Sequence, residues 1–275
     1  MIATSLTAHL QARDVEVLRT SRRARAAALR LDLSDPPHQW PEFPMVDAAF
    51  ICAARTSIRE CESDPAGTAR VNVDAAAALS ERLSGHTGIT VFLSTNMVFD
   101  GGQAVVGPDS PARPRTEYGR QKAAAERAVL AREGGAVLRL SKVIGPIPAL
   151  FENWVRDLRG GRNISPFSDM NFAPVTLAGA VQVIAGVAAQ RMTGVSQYSA
   201  SRDISYRDAA LRLATHLDAD SALVGAASAR QAGLLPQFVP KHTTLDCSRI
   251  GSALGKDAPD PIAVLDEVFE SWPLH

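Results

Sequence analysis

The sequence has little cysteine, and nothing in its spacing pairs what there is. Cys52, Cys61 and Cys247 are odd in number and form neither a CxxC nor a Cys/His cluster, which argues against a disulfide framework and a structural zinc site. It also lacks an excess of charge: 29 basic and 29 acidic residues cancel, so no global field draws the chain to nucleic acid or to an anionic membrane. No apolar run reaches the roughly 20 residues that a membrane span needs, and the N-terminus has no signal-peptide pattern, so the cytoplasm is the expected location. Internal repeats and low-complexity tracts are missing too. The scattered histidines offer no metal site and no pairing of a nucleophile with a base.

What is present is a globular pattern. With 275 residues, 46% of them hydrophobic and 21% charged, the chain can bury a sizeable core as one large domain or two smaller ones. The first ten residues read as the inside of a helix, with Ile2, Leu6 and Leu10 at helical spacing. Strands follow at "VEVLRTS" from Val15, "ALRLDLSD" and "VDAAFICAA" (Val46 to Ala54). Then come a helix around Val71 to Leu83, a strand in "GITVFLSTNMVFD", a helix from Thr116 to Arg132, and a strand in "AVLRLSKVIG". Short apolar strands alternating with helices indicate parallel pairing through right-handed crossovers, hence an α/β fold built on a doubly wound parallel sheet. Beyond Gly145 the rhythm loosens. "FENWVRDLRGG", "LAGAVQVIAGVAAQ", "SYRDAALRLATHL" and "PIAVLDEVFESW" read as helices and "GVSQYSAS" as a short strand. The expected division is a Rossmann-like domain over 1–145 and a smaller, mostly helical substrate-binding region over 146–275, beside the carboxyl ends of the strands where such sheets place ligands.

The chemistry concentrates on one helix and one strand. In "TEYGRQKAAAE", Tyr118 and Lys122 are four apart, which puts both side chains on one helix face with Cβ atoms about 5–6 Å apart. A neighbouring ammonium favours the phenolate, so Tyr118 is expected to exchange a proton with a carbonyl or alcohol near neutral pH. With three Tyr and four Lys in the chain, chance supplies such a pair only about 0.04 times. Upstream, at the end of a buried strand, Ser94 and Thr95 offer hydroxyls to the same substrate oxygen. Asp100 reads as closing a turn with Gly101 and Gly102.

The run "FLSTNMVFDGG…TEYGRQKAAAE" resembles the extended short-chain dehydrogenase/reductases, and most closely the dTDP-4-dehydrorhamnose reductase family. "VDAAFICAARTSIRECESDPAGTARVN", "AVLRLSKVIGP", "FSDMNFAPVTLAGAV" and "PKHTTLDCSRIGSALG" extend the likeness over nearly the whole chain. The resemblance implies NADP(H)-dependent reduction of a nucleotide-linked 4-keto sugar. Tyr118 would be the proton donor to C4 oxygen, Lys122 would lower its pKa and hold the nicotinamide ribose, and Thr95 would be the third catalytic hydroxyl. Cys52, Ala53, Ala54 and Thr56 would line the cofactor, and Asp32 with Leu33 would flank the adenine. Arg22 and Arg23, in "RRAR", have two readings: a clamp for the 2′-phosphate of NADP, or solvated surface charge, with NAD(H) then the alternative cofactor. Lys241 and His242 are candidates to border substrate phosphates. Asn96 and Met97 stand where the family usually has Asp-Tyr, Arg55 replaces an aromatic or histidine, and Lys142 a common tryptophan; these departures bear on which sugar is bound.

The resemblance implies a sugar-nucleotide partner, no nucleic-acid or membrane partner, and a homodimer among the assemblies it allows. It keeps two other activities open: a non-catalytic NADP-binding subunit like the regulatory partner of methionine adenosyltransferase, and a sugar-nucleotide epimerase or dehydratase. Such proteins begin with a strand and a GxxGxxG turn that cradles pyrophosphate. Aligned on them, "MIATSL" falls just after the second glycine, with Ala3 in the third glycine's place. The expectation is a start assigned at an internal methionine or a shortened chain, with the first favoured.

Overall fold

The computed structural model describes residues 1–23 and 28–272. In chain order the elements are α1 (Ile2–Gln11), β1 (Arg19–Ser21), β2 (Ala28–Arg30), β3 (Val46–Ile51), α2 (Ile58–Ser63) and α3 (Pro65–Ala69). A π-helical turn over Arg70–Ala75 leads into α4 (Ala76–Leu83), followed by β4 (Thr87–Thr95), a 3₁₀ turn over Asn96–Val98, α5 (Glu117–Leu130), β5 (Gly135–Leu140), β6 (Lys142–Ile144) and α6 (Ala149–Arg159). The chain closes with β7 (Asn171–Phe172), β8 (Pro174–Thr176), α7 (Leu177–Ala189), β9 (Gly194–Tyr198), β10 (Ile204–Ser205), α8 (Tyr206–His216), α9 (Ser248–Leu254) and α10 (Pro261–Ser271). They form two compact units that interleave along the sequence: Met1–Phe99, Pro111–Arg139 and Val181–Ser196 in the first, and Asp100–Ser110, Leu140–Ala180 and Gln197–His275 in the second.

The first unit is of the expected α/β class, a parallel sheet with flanking helices. Its main sheet has the order β3-β4-β5-β9, and β3 runs parallel to β4. β4 is buried from Ile89 to Thr95 and β5 along its whole length, because a parallel strand covered by helices on both faces must be apolar throughout. Phe92 and Val137 of these strands pack with Leu79 and Leu83 of α4, Ala125 and Val129 of α5, and Trp40. β1 and β2 pair in parallel as a separate two-stranded sheet. The second unit is mostly helical. Its core gathers Phe151 and Trp154 of α6, Leu213 of α8, and Leu265, Phe269 and Trp272 at the end of the chain. The Phe151 and Trp154 rings meet edge to face at 5.0 Å.

Several elements depart from the sequence expectation for local reasons. "ALRLDLSD" is extended only over Ala28–Arg30, because the Asp32 carboxylate accepts the Ser34 amide at 2.9 Å and turns the chain. "AVLRLSKVIG" is cut at Ser141, whose hydroxyl donates to the Ala173 carbonyl, and the remainder becomes β6, paired in parallel with β8. The helix expected from Val71 is preceded by α2 and α3, with the Asp64 side chain capping α3 through the Gly67 amide. Among the described residues no helix is long and apolar enough to cross a membrane.

Candidate active site

α5 begins with Thr116 as its N-cap, whose hydroxyl accepts the Gly119 amide at 3.1 Å, and Glu117 in the first turn suits the positive end of the helix dipole. The second residue of the helix is Tyr118, half-buried. Its neighbour Gly119 lies against the 3₁₀ turn that ends β4: a Cβ built there would stand 2.2 Å from the Met97 carbonyl oxygen and 3.0 Å from Pro114 Cβ. Only a residue without a side chain permits that approach. The same turn is organised by Thr95, whose Oγ1 accepts the Met97 amide at 3.2 Å and lies 3.4 Å from Asn96 Oδ1. Thr95 and the first turn of α5 are therefore brought together through backbone contact around Met97. Ser94, one residue earlier, is buried, and its hydroxyl has no hydrogen-bond partner among the described residues.

Lys122 is 3% exposed. Its Nζ donates to the Leu93 carbonyl at 2.6 Å and sits 3.7 Å from the centroid of the Phe92 ring. Burial pulls its pKa down to about 7, against the opposing pull of Glu126 and Cys52. Burial also pushes the Tyr118 phenol up to about 12, with Cys61 adding to the rise. This corrects the expectation that Lys122 lowers the tyrosine's pKa. With the ammonium itself desolvated and committed to Leu93 and Phe92, burial dominates at the phenol, which keeps its proton at neutral pH. One turn beyond Lys122, Glu126 is held by Arg139 of β5 through bonds of 3.0 and 2.8 Å, with Arg139 lying 4.9 Å from the Phe99 ring centroid.

The other expected residues line the carboxyl ends of β1 to β3. Cys52 follows β3 directly and is half-buried; burial raises its thiol to about 11, while the charges of Lys122 and the Met1 amine pull the other way. Ala53 and Thr56 are exposed and Ala54 is half-buried. Arg22 and Arg23 are exposed just past β1, and the other arginine of "RRAR", Arg25, lies outside the described residues. Asp32 and Leu33 are half-buried past β2. The Ser34 amide, opposed by burial and helped by the nearby charges of Arg22 and Arg30, holds the Asp32 carboxyl below its usual range. Arg55 is exposed and paired with Glu60 at 3.2 Å.

In the second unit, Asp100 closes its turn as expected, accepting the Gly102 amide at 2.9 Å with Gly101 at φ +70°. The Gly101 carbonyl accepts the His242 amide at 3.0 Å. His242 Nδ1 lies 3.5 Å from Asp203, a carboxylate that also takes the Thr243 amide and both the Thr243 and Thr244 hydroxyls. The Lys241 carbonyl accepts from Asn171 Nδ2. Lys142 is exposed at the start of β6. Two residues that sequence reasoning missed are Asn72 and Gln121, both 2% exposed and bonded to each other. The available signal was weak, an amide within each of two helical stretches, because the buried face of α5 also carries Lys122 and Glu126.

The description "RmlD substrate binding domain" matches residues 1–271. The chain belongs to this family. Members of the family include sugar-nucleotide reductases, and the oxidoreductase class expected of the chain follows from its membership. A probable low-salt glycan biosynthesis reductase of Haloferax volcanii is 28% identical over 241 residues, covering 82% of this chain and 79% of its own. Methionine adenosyltransferase 2 subunit beta of Xenopus tropicalis is 26% identical over 234 residues, covering 81% and 69%. Among solved structures, dTDP-4-dehydrorhamnose reductase of Bacillus anthracis in complex with NADP superposes with a TM-score of 0.81 at 17% identity, covering 98% of this chain and 95% of that one, a likeness of fold.

Proposed function

We propose that this member of the RmlD family reduces a nucleotide-linked 4-keto sugar with NADP(H), Tyr118 giving the proton. The observation that carries the reading is the first turn of α5, where Tyr118 stands beside Gly119, which packs against the turn that Thr95 organises. A protonated phenol at neutral pH is the form a reduction needs, since the carbonyl oxygen must gain a proton as its carbon gains a hydride. Thr95 would donate a second hydrogen bond to the same oxygen, and Lys122 would hold the nicotinamide ribose.

The residues present fit a nicotinamide dinucleotide. The buried Ser94 hydroxyl at the end of β4 has no hydrogen-bond partner among the described residues, leaving it free for a ligand. Ser94 and the loop Cys52, Ala53, Ala54 and Thr56 would hold the nicotinamide half, Asp32 and Leu33 the adenine, and Arg22 and Arg23 the 2′-phosphate. Bound and reduced, that cofactor supplies the hydride.

The test is Tyr118→Phe, which keeps the ring and removes the donor. Consumption of NADPH with nucleotide-linked keto sugars should fall by about two to four decades while NADPH affinity holds. Unchanged turnover rejects Tyr118 as the acid. The likeness to methionine adenosyltransferase 2 subunit beta favours a second reading, a non-catalytic NADP-binding subunit. Stoichiometric NADPH binding with no oxidation against any keto sugar would select it. An epimerase or dehydratase would instead turn substrate over with no net change in cofactor.

A further inference from the structure

The loop after β3 leaves the sheet without regular structure, yet both backbone groups of one of its residues are held by a single side chain. Asn72, in the π-helical turn, accepts the Arg55 amide on Oδ1 at 2.7 Å and donates from Nδ2 to the Arg55 carbonyl at 2.9 Å. That is the bonding a neighbouring strand would offer, supplied by an amide side chain. The second Nδ2 hydrogen goes to Gln121 Oε1 at 2.8 Å. Gln121 in turn shares its two Nε2 hydrogens among Thr68 Oγ1 at 2.9 Å, the Pro65 carbonyl at 3.1 Å and Glu117 at 3.2 Å. Cys61, fully buried, adds a weak contact from its thiol to the Arg55 carbonyl. Every polar atom of the two amides is used, and both residues are buried, so the network has one satisfied arrangement.

The consequence is geometric. Gln121 stands between Tyr118 and Lys122 on α5, and Arg55 lies among Cys52, Ala53, Ala54 and Thr56. We infer that Gln121, acting through Asn72, is a positioning residue that sets the height of the 52–56 loop against the proton-donating helix. This rests on the reading of that loop as cofactor-lining. A donor and a hydride source carried on different elements must be held within a few tenths of an ångström to act together, and a chain of three short bonds running through two buried amides provides that hold.

The experiment compares the full chain with Gln121→Met, which keeps length and removes both polar ends, and with the milder Gln121→Asn, which shortens the side chain so that it no longer reaches Asn72. Two measurements are made: amide hydrogen exchange at Arg55 without cofactor, and NADPH affinity by fluorescence titration. Exchange at Arg55 should quicken by about tenfold or more in both variants, and NADPH should bind about tenfold more weakly, as loss of one buried bond at the loop implies. Where turnover is measurable, KM for NADPH should rise more than kcat falls. Unchanged exchange overturns the clasp, and quickened exchange with unaltered NADPH affinity reduces it to a packing role. If Gln121→Met fails to fold, the Asn variant decides on the same two readouts. A wild-type chain that binds neither NADPH nor NADH defeats the cofactor assignment instead, a result the exchange data tell apart.

Discussion

Lys122→Met tests the electrostatics of the site through stability, without substrate. The lysine is 3% exposed, and burial sets its pKa near 7 in the folded chain, against about 10.4 for a solvated lysine. Between those values the unfolded chain holds the proton and the folded chain does not, so stability rises with pH across the window and the rise belongs to this residue. Below about pH 7 both states are protonated and the contribution is a constant penalty. The slope is at most about 1.4 kcal/mol per pH unit, and between pH 8 and 10 the wild type should gain on the order of 2–3 kcal/mol relative to Lys122→Met. Loss of the bond to the Leu93 carbonyl adds an offset with little pH dependence. Denaturant unfolding of both proteins at half-unit steps from pH 6 to pH 10, each also carrying Cys52→Ala to remove the thiol that Lys122 influences, gives the difference. A wild-type-minus-variant difference that stays flat over this range, or falls, refutes a lysine kept short of its proton by burial.

Two further outcomes follow from the geometry. Gly119→Ala would place a methyl carbon 2.2 Å from the Met97 carbonyl, so despite alanine's better helix propensity it should destabilise the fold by about 1–3 kcal/mol and depress turnover through displacement of Tyr118; a variant with an unchanged or raised Tm contradicts the close approach. Replacing Arg22 and Arg23 together by Ala should weaken NADPH by about 1.5–3 kcal/mol per charged bond lost and NADH far less. Equal weakening of both cofactors by the double change returns the arginines to the solvated surface.

The parts legible in the sequence were those decided locally. Tyr118 and Lys122 share a face because a helix repeats every 3.6 residues, and the strand-helix alternation announced the parallel sheet before any contact was known. What escaped was set by distant partners. Asn72 and Gln121 are 49 positions apart, and each alone looks like an ordinary helix amide. The direction of the Tyr118 shift could not be read from its spacing to Lys122, because the deciding quantity was how deeply both groups are buried. The break at Ser141 depends on a carbonyl 32 residues downstream. The return of Val181–Ser196 to the first unit likewise has no mark in the local pattern.

The ion pair between Glu126 and Arg139 constrains how this chain can drift. Their side chains are 4% and 6% exposed, and breaking a buried pair by removing one member typically costs about 3–5 kcal/mol, a large share of what holds a domain folded. Exchanging both for apolar residues of similar volume can cost nothing. Positions 126 and 139 thus behave as one heritable unit: descendants of this sequence should carry both charges or neither, and an isolated change at one of them marks a protein in which something else has moved to take up the orphaned partner.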